Sequence, residues 1–224
     1  MIVAVAGSFA LFGGPIIVSG DAAATAANIM AGEQMWRLNF VALLIAGAVY
    51  IAVIAILYEL FRPGSPTLSI VAAFFGLAGC AISGMHAFQL APLFYLGDAT
   101  YLAAFDTEQL QALAYVPLRL QAVGDNIGAM FFGFYTLLLG CLVLGSSLLP
   151  RILGVLLTIT GFSWLTRSFA NLLALSLADS LSTYLMAAAV FGELAFLLWI
   201  LVRGVDVERW REQAGAAITA PGAG

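Results

Sequence analysis

Glu193 stands in the middle of an apolar run from Leu185 to Trp199, and Arg167 and His86 each stand in another. An ionisable group at membrane depth is costly and asks for a partner or a function. Helical spacing gathers these groups on faces. Gly76, Gly79, Ser83 and His86 step by three or four residues, as do Asp125, Gly128, Phe132 and Tyr135. The same holds for Thr160, Ser163, Arg167 and Asn171, and for Ser182, Met186, Ala189 and Glu193. Each of four helices therefore has one small or polar face. Helix-bundle interiors look like this, because small residues allow close approach and polar ones cannot face lipid.

Depth separates these groups into layers. At about 1.5 Å per residue, His86 and Arg167 lie about 27 and 24 Å up their helices, just below the outer surface of a core about 30 Å thick. Asp125 enters from that surface at the same level, with Gln89 nearby. Glu193 lies about 16 Å below the outer end of its helix, near the midplane. The expected outer layer is His86, Asp125, Asn126, Arg167 and Asn171, and the deeper one is Glu193, Tyr135 and Ser163. One reading is an outward-facing polar cavity narrowing to a buried carboxyl, with Arg37, His86, Asp125, Asn126, Tyr135, Ser163, Arg167, Asn171 and Glu193 as ligand-binding residues. The other is interhelical adhesion, with Arg167 paired to Asp125 and Glu193 protonated or hydrogen-bonded to Tyr135 or Ser163. Arg167 is also close enough to the surface to snorkel. Phe74, Phe75, Phe131, Phe132 and Phe134 read as lipid-facing or core packing, and Trp36, Trp164 and Trp199 as interface anchors.

No catalytic residue is assigned, since no nucleophile constellation stands out. With 1 histidine in the chain, zinc, haem and iron–sulfur sites of the usual ligand count are not expected, and neither is a cofactor. Cys80 and Cys141 fall at different depths, so no disulfide between them is expected.

The elements that must position these residues follow from composition. The chain has 224 residues, 63% hydrophobic and only 9% charged, against roughly 25% charged in a soluble domain. Its mean hydropathy is +1.06. A soluble domain, a disordered chain and a nucleic-acid binder are excluded. Six apolar stretches stand out, at about 2–18, 38–61, 68–92, 122–145, 152–173 and 182–203. They are too long for barrel strands and lack their alternation. The expected fold is all-α: a single polytopic membrane domain of six transmembrane helices over 1–203, with short interfacial helices outside and a partly disordered cytoplasmic tail over 204–224. The first span could instead be a signal peptide ending near Asp21, but it lacks a positive n-region, so a retained helix is expected.

Outside, Asp21 is expected to cap a short helix that includes Glu33 and Arg37 at i,i+4. Asp98 and Asp106 look like further N-caps, Asp106-Thr-Glu-Gln109 resembles a capping box, and Pro117 is expected to kink or end the helix it opens. The tail after Glu212 is small and Gly/Ala/Pro-rich, and is expected to be disordered. The two halves do not align as an inverted repeat, which disfavours a secondary transporter.

All 8 basic residues are arginine. With the N-terminus inside, the inner loops and tail hold Arg62, Arg151, Arg203, Arg209 and Arg211, and the outer segments hold only Arg37 and Arg119. That asymmetry favours both termini in the cytoplasm.

Several short motifs occur in a specific order: Gly20-Asp-Ala-Ala-Ala-Thr-Ala-Ala-Asn-Ile29 with Glu33 and Arg37, Tyr101-Leu-Ala-Ala-Phe-Asp106, Leu149-Pro-Arg-Ile-Leu-Gly-Val-Leu156, Ser168-Phe-Ala-Asn171 and Gly192-Glu-Leu194. Together they resemble the bacterial membrane family called domain of unknown function 4386, over nearly the whole chain. The resemblance implies a multi-helix membrane protein of a bacterial inner membrane and no established activity. Arg37, Arg167, Asn171 and Glu193 are the motif residues that coincide with the polar layers. The family's pattern has histidine and an acid where Gln121 and Asn126 stand here, which argues against histidine-dependent chemistry at that point.

The partners expected are the bilayer, a small amphipathic ligand, and a membrane-protein partner or a second copy of the chain; nucleic acid is excluded. The favoured function is binding or transport of a small amphipathic molecule or lipid. A structural or accessory subunit of a membrane complex and an intramembrane enzyme stay open as alternatives. A reporter fused at Gly224 is expected to be active only in the cytoplasm. Periplasmic activity there would overturn the orientation, and mass spectrometry of the mature N-terminus would show whether the first span is retained.

Overall fold

The structure is a computed structural model and describes residues 16–97, 100–173 and 177–219. Among these, every regular element is helical. In chain order they are α1 (Ala22–Ala31), α2 (Glu33–Phe61), α3 (Pro66–Ile82), a 3₁₀ segment (Ser83–Leu90), α4 (Ala91–Leu96), a 3₁₀ turn (Thr100–Leu102), α5 (Thr107–Gly145), α6 (Arg151–Leu172), α7 (Leu177–Val202) and α8 (Val207–Thr219). Among the described residues, five stretches are long and apolar enough to cross a membrane: Glu33–Phe61, Pro66–Leu96, Thr107–Gly145, Arg151–Leu172 and Ser182–Val202. They correspond to the second through sixth expected spans. The first, 2–18, lies almost entirely outside the described residues, as does the expected cap Asp98. The chain is a multi-pass membrane protein.

Two compact units divide it: Met1–Tyr50 with Ile82–Asp125, and Ile51–Ala81 with Asn126–Gly224. In the first, α1 begins where the sequence predicts, because the Asp21 carboxylate accepts the Ala24 N–H at 2.8 Å. α5 begins with the reciprocal bonds of a capping box: Asp106 N–H donates to Gln109 Oε1 at 3.1 Å, and Gln109 N–H donates to Asp106 Oδ1 at 2.8 Å. Pro117, expected to kink or end its helix, does not end it, and α5 runs from Thr107 to Gly145 with Pro117 inside. Its neighbour Leu118 is buried in one cluster with Ile29 and Trp36, and that packing holds the proline turn in place.

Pro92 reshapes the third span. Without an N–H it cannot take the Phe88 carbonyl as an i+4 donor would. The Ala91 N–H takes that carbonyl instead, at i+3, and closes a 3₁₀ segment from Ser83 to Leu90. With three residues per turn, Ser83, His86 and Gln89 fall on one edge.

In the second unit, α5 and α6 lie antiparallel and approach at a ladder of small residues. A β-carbon on Gly133 would stand 3.0 Å from the Leu165 side chain, one on Gly140 2.8 Å from the Thr158 nitrogen, one on Gly154 3.0 Å from the Leu144 nitrogen and one on Gly161 2.6 Å from the Leu137 nitrogen. The glycines leave no room for a side chain between the two backbones. α7 packs on the opposite side of α6, where a β-carbon on Gly192 would stand 2.9 Å from the Leu156 carbonyl oxygen. Gly76 of α3 faces Ile54 and Tyr135 in the same way, and Gly79 faces Phe132. Of the phenylalanines, Phe132 is buried, Phe74 is exposed, and Phe75 packs against Phe131 and Phe134 at centroid distances of 6.1 and 5.1 Å.

The tail differs from its composition. α8 continues past Glu212 to Thr219, because it is docked rather than free. Trp210 Nε1 donates to the Leu60 carbonyl at 3.1 Å, Arg209 donates to the Ser147 carbonyl at 3.1 Å, and Gln213 donates to Ser147 Oγ at 3.3 Å. Leu60 lies in the last turn of α2, where carbonyls lack intrahelical donors, so the indole completes that helix end. Only 220–224 of the tail lies outside the described residues.

Gly161→Ala is expected to cost about 1–3 kcal/mol, because its β-carbon meets backbone that cannot rotate away. Gly47→Ala meets nothing within 4 Å and is expected to be neutral or to gain up to about 1 kcal/mol from helix propensity. Thermal unfolding of the two purified variants in the same detergent compares them; equal stability would overturn the close-approach argument.

Candidate functional site

Several sequence-predicted residues can be followed to hydrogen bonds that use them up locally. Ser163 Oγ donates to the Ile159 carbonyl at 2.9 Å, within its own helix. Asn171 Nδ2 donates to the Arg167 carbonyl at 2.9 Å. Arg37 pairs with Glu33 at 2.8 Å as an exposed i,i+4 pair, worth only a few tenths of a kcal/mol. Tyr135 is buried and lines a small cavity with Ile54, Ser69 and Leu139. Asn126 is half-buried at the start of the second unit's portion of α5. The residues with side-chain chemistry left to offer fall into two groups, one in each unit.

In the first unit, His86 Nε2 lies 3.4 Å from Asp125 Oδ1. The expected pairing of Asp125 with Arg167 joins residues of different units, and within its own unit Asp125 meets His86. The histidine comes from the 3₁₀ edge that Pro92 produces, and its Nδ1 meets the Ser83 carbonyl. One turn on, Gln89 is buried, and its side-chain amide donates to Asn39 Oδ1 at 3.0 Å. The Gln89 carbonyl accepts Trp36 Nε1 at 2.6 Å. Trp36 is therefore a buried donor to backbone, not the interface anchor expected from its place near a span end. Met85 fills the space beside Gly124, where a β-carbon would stand 2.4 Å from its sulfur.

In the second unit, Trp164 Nε1 donates to Glu193 Oε1 at 2.8 Å. Two expectations change here. The carboxyl was assigned to Tyr135 or Ser163 as its partner, and Trp164 to the membrane interface, but Trp164 is buried in a cluster with Ala129 and Ala189. A tryptophan buried among apolar residues needs an acceptor for its N–H, and Glu193 of the facing helix supplies it. Gly192 brings α7 close enough for the bond, and the Thr160 hydroxyl reaches the Ala189 carbonyl at 3.4 Å beside it. Arg167 completes the group. Its guanidinium carbon lies 5.8 Å from the centroid of the Trp164 ring, and its Nε donates to Ser182 Oγ at 3.3 Å. Glu193 therefore faces its neighbour helix, with Ala189 of its stripe buried and Met186 exposed. Sequence reasoning missed the Trp164–Glu193 bond, although an indole on one apolar helix and a lone carboxyl on the next were its signal.

Replacing Glu193 separates charge from hydrogen bonding. In Glu193→Gln the amide carbonyl can still accept the indole N–H, so the expected loss is at most about 1 kcal/mol. In Glu193→Leu the buried N–H has no acceptor, and the expected loss is about 1–3 kcal/mol. Thermal unfolding of both variants in detergent measures this. A Glu193→Gln protein as unstable as Glu193→Leu would mean that the charge, not the hydrogen bond, holds the two helices.

No curated protein and no solved structure matches the chain. A family match extends over residues 1–204, through the five stretches among the described residues that are long and apolar enough to cross a membrane. By that match this multi-pass membrane protein belongs to the family described as Domain of unknown function (DUF4386).

Proposed function

We propose that the protein binds a small amphipathic molecule or lipid at the Trp164–Arg167–Glu193 group. The observation that carries this reading is the sharing of one buried indole by two opposite charges. Glu193 takes its N–H and Arg167 lies over its ring, and neither has an ion-pair partner among the described residues. Glu193 keeps an oxygen and Arg167 keeps its terminal nitrogens for a guest. That is the complement of a polar head carrying both an anion and an ammonium. The exposed apolar residues Phe191 and Leu194 of α7 flank Glu193 in sequence and suit an acyl tail.

The membrane assigned to it is the bacterial cytoplasmic membrane, with both termini inside. What supports this is the gathering of exposed Arg62, Arg151, Arg203, Arg209 and Arg211 around the ends of α2, α6, α7 and α8, where α8 bonds to Leu60 and Ser147. On this reading α1 and the start of α5 lie on the outer side. α5 is about 58 Å long, about twice the hydrocarbon thickness, so part of it stands outside the core. A second reading, an accessory subunit, draws on α2, where Leu38, Val41, Leu44, Ile45 and Val49 are all exposed.

The test is ligand-induced stabilisation in detergent, with phosphatidylethanolamine as the zwitterionic probe and phosphatidylglycerol as the anionic one. Stabilisation of about 2.7 kcal/mol is expected at a hundredfold excess over Kd, with phosphatidylethanolamine the stronger probe. Arg167→Gln and Glu193→Gln should each lose it while folding normally. A shift of the same size in both variants would overturn the site, and no shift with either lipid would favour the accessory-subunit reading.

A further inference from the structure

His86 is the chain's single histidine, and both of its ring nitrogens face oxygen. Nδ1 meets the Ser83 carbonyl, which can only accept, so Nδ1 carries a hydrogen. Nε2 lies 3.4 Å from Asp125 Oδ1. If the ring were neutral with its hydrogen on Nδ1, a bare Nε2 lone pair would point at a carboxylate, and the two would repel. One proton removes the conflict, whether it sits on Nε2 and makes an imidazolium–carboxylate pair or on Oδ1 and donates to Nε2. Either way the pair is neutral with the proton and carries one negative charge without it. The side chains are 18% and 46% exposed, so the contact is sheltered on the histidine side and open on the aspartate side.

The other charged groups given partners in this unit are engaged elsewhere. Glu33 and Arg37 of α2 pair with each other, Asp21 caps α1, and Asp106 caps α5. From the 3₁₀ segment itself and from α2, the groups near His86 in sequence or space are the neutral Ser83, Gln89 and Asn39. Among the described residues of this unit, the ion pair of His86 is with Asp125, and the remaining charged groups Glu108 and Arg119 of α5 are exposed.

We propose that His86 and Asp125 form a proton-binding site, in which the Ser83 carbonyl fixes the ring tautomer so that Nε2 and the carboxylate hold one proton between them. The site is independent of the Trp164–Arg167–Glu193 group, and its test needs no knowledge of the ligand. With ¹⁵N-labelled histidine the protein gives one imidazole, whose two nitrogen shifts report protonation directly. In lipid nanodiscs at pH 7, Nδ1 is expected to be protonated, and Nε2 to be either protonated or a hydrogen-bond acceptor. In Asp125→Ala, Nε2 is expected to move to the position of a bare nitrogen while Nδ1 keeps its hydrogen. An Nε2–H tautomer with bare Nδ1 in the wild type would overturn the proposal even if the variant failed to fold. So would an Nε2 shift that does not change in Asp125→Ala.

Discussion

The approach of α6 to the helices on its two sides sets the terms for the polar interior of its unit. A hydrogen bond between side chains on neighbouring helices needs the two axes at a fixed and short distance. Gly140, Gly154 and Gly161 set that distance toward α5, and Gly192 sets it toward α7. Trp164 can then reach Glu193, the residue next to Gly192, and Thr160 can reach the Ala189 carbonyl. Without the glycines the indole and the carboxyl would each be a buried polar group with no partner, the costly state in a medium that offers no water.

A second economy follows from the same lack of water. Some polar residues in the spans satisfy themselves on their own helix, as Thr158, Ser163 and Asn171 do with carbonyls four residues back. Those three are thereby removed from any shared site, while Gln89, Thr160, Trp164 and Arg167 act across helices. Such local bonding is also why a polar stripe read from spacing overstates a cavity. Spacing says which residues share a face, not which of them have a valence left.

The parts of the fold governed by local rules were legible. Hydropathy located the five described spans, and Asp21 and the Asp106–Gln109 box mark helix starts through bonds between residues three apart. What was not legible depended on distant partners. Pro117 stays inside a helix because Leu118 packs with Ile29 and Trp36. Trp36 and Trp164 look like interface anchors until their acceptors, the Gln89 carbonyl and Glu193, come from other helices. His86 lies in an apolar run that reads as plain α-helix, and only the 3₁₀ segment ahead of Pro92 gives the ring its edge. For the candidate residues, spacing put Arg167 and Glu193 on the small or polar faces of their helices, but it did not offer Trp164, the side chain that both approach.

The docking of α8 bears on how the chain is made. The Leu60 carbonyl at the end of α2 receives its hydrogen from Trp210, which lies 150 residues further along. At about 5–20 residues per second of synthesis, that carbonyl waits roughly 8–30 s for its donor. Throughout that interval α2 has left the ribosome with an open end, and every later span must be inserted beside it. The helix that closes the end is polar enough to stay in water and is made after all of the described spans. Closure of this helix end therefore comes from the aqueous side, after the described spans have been made.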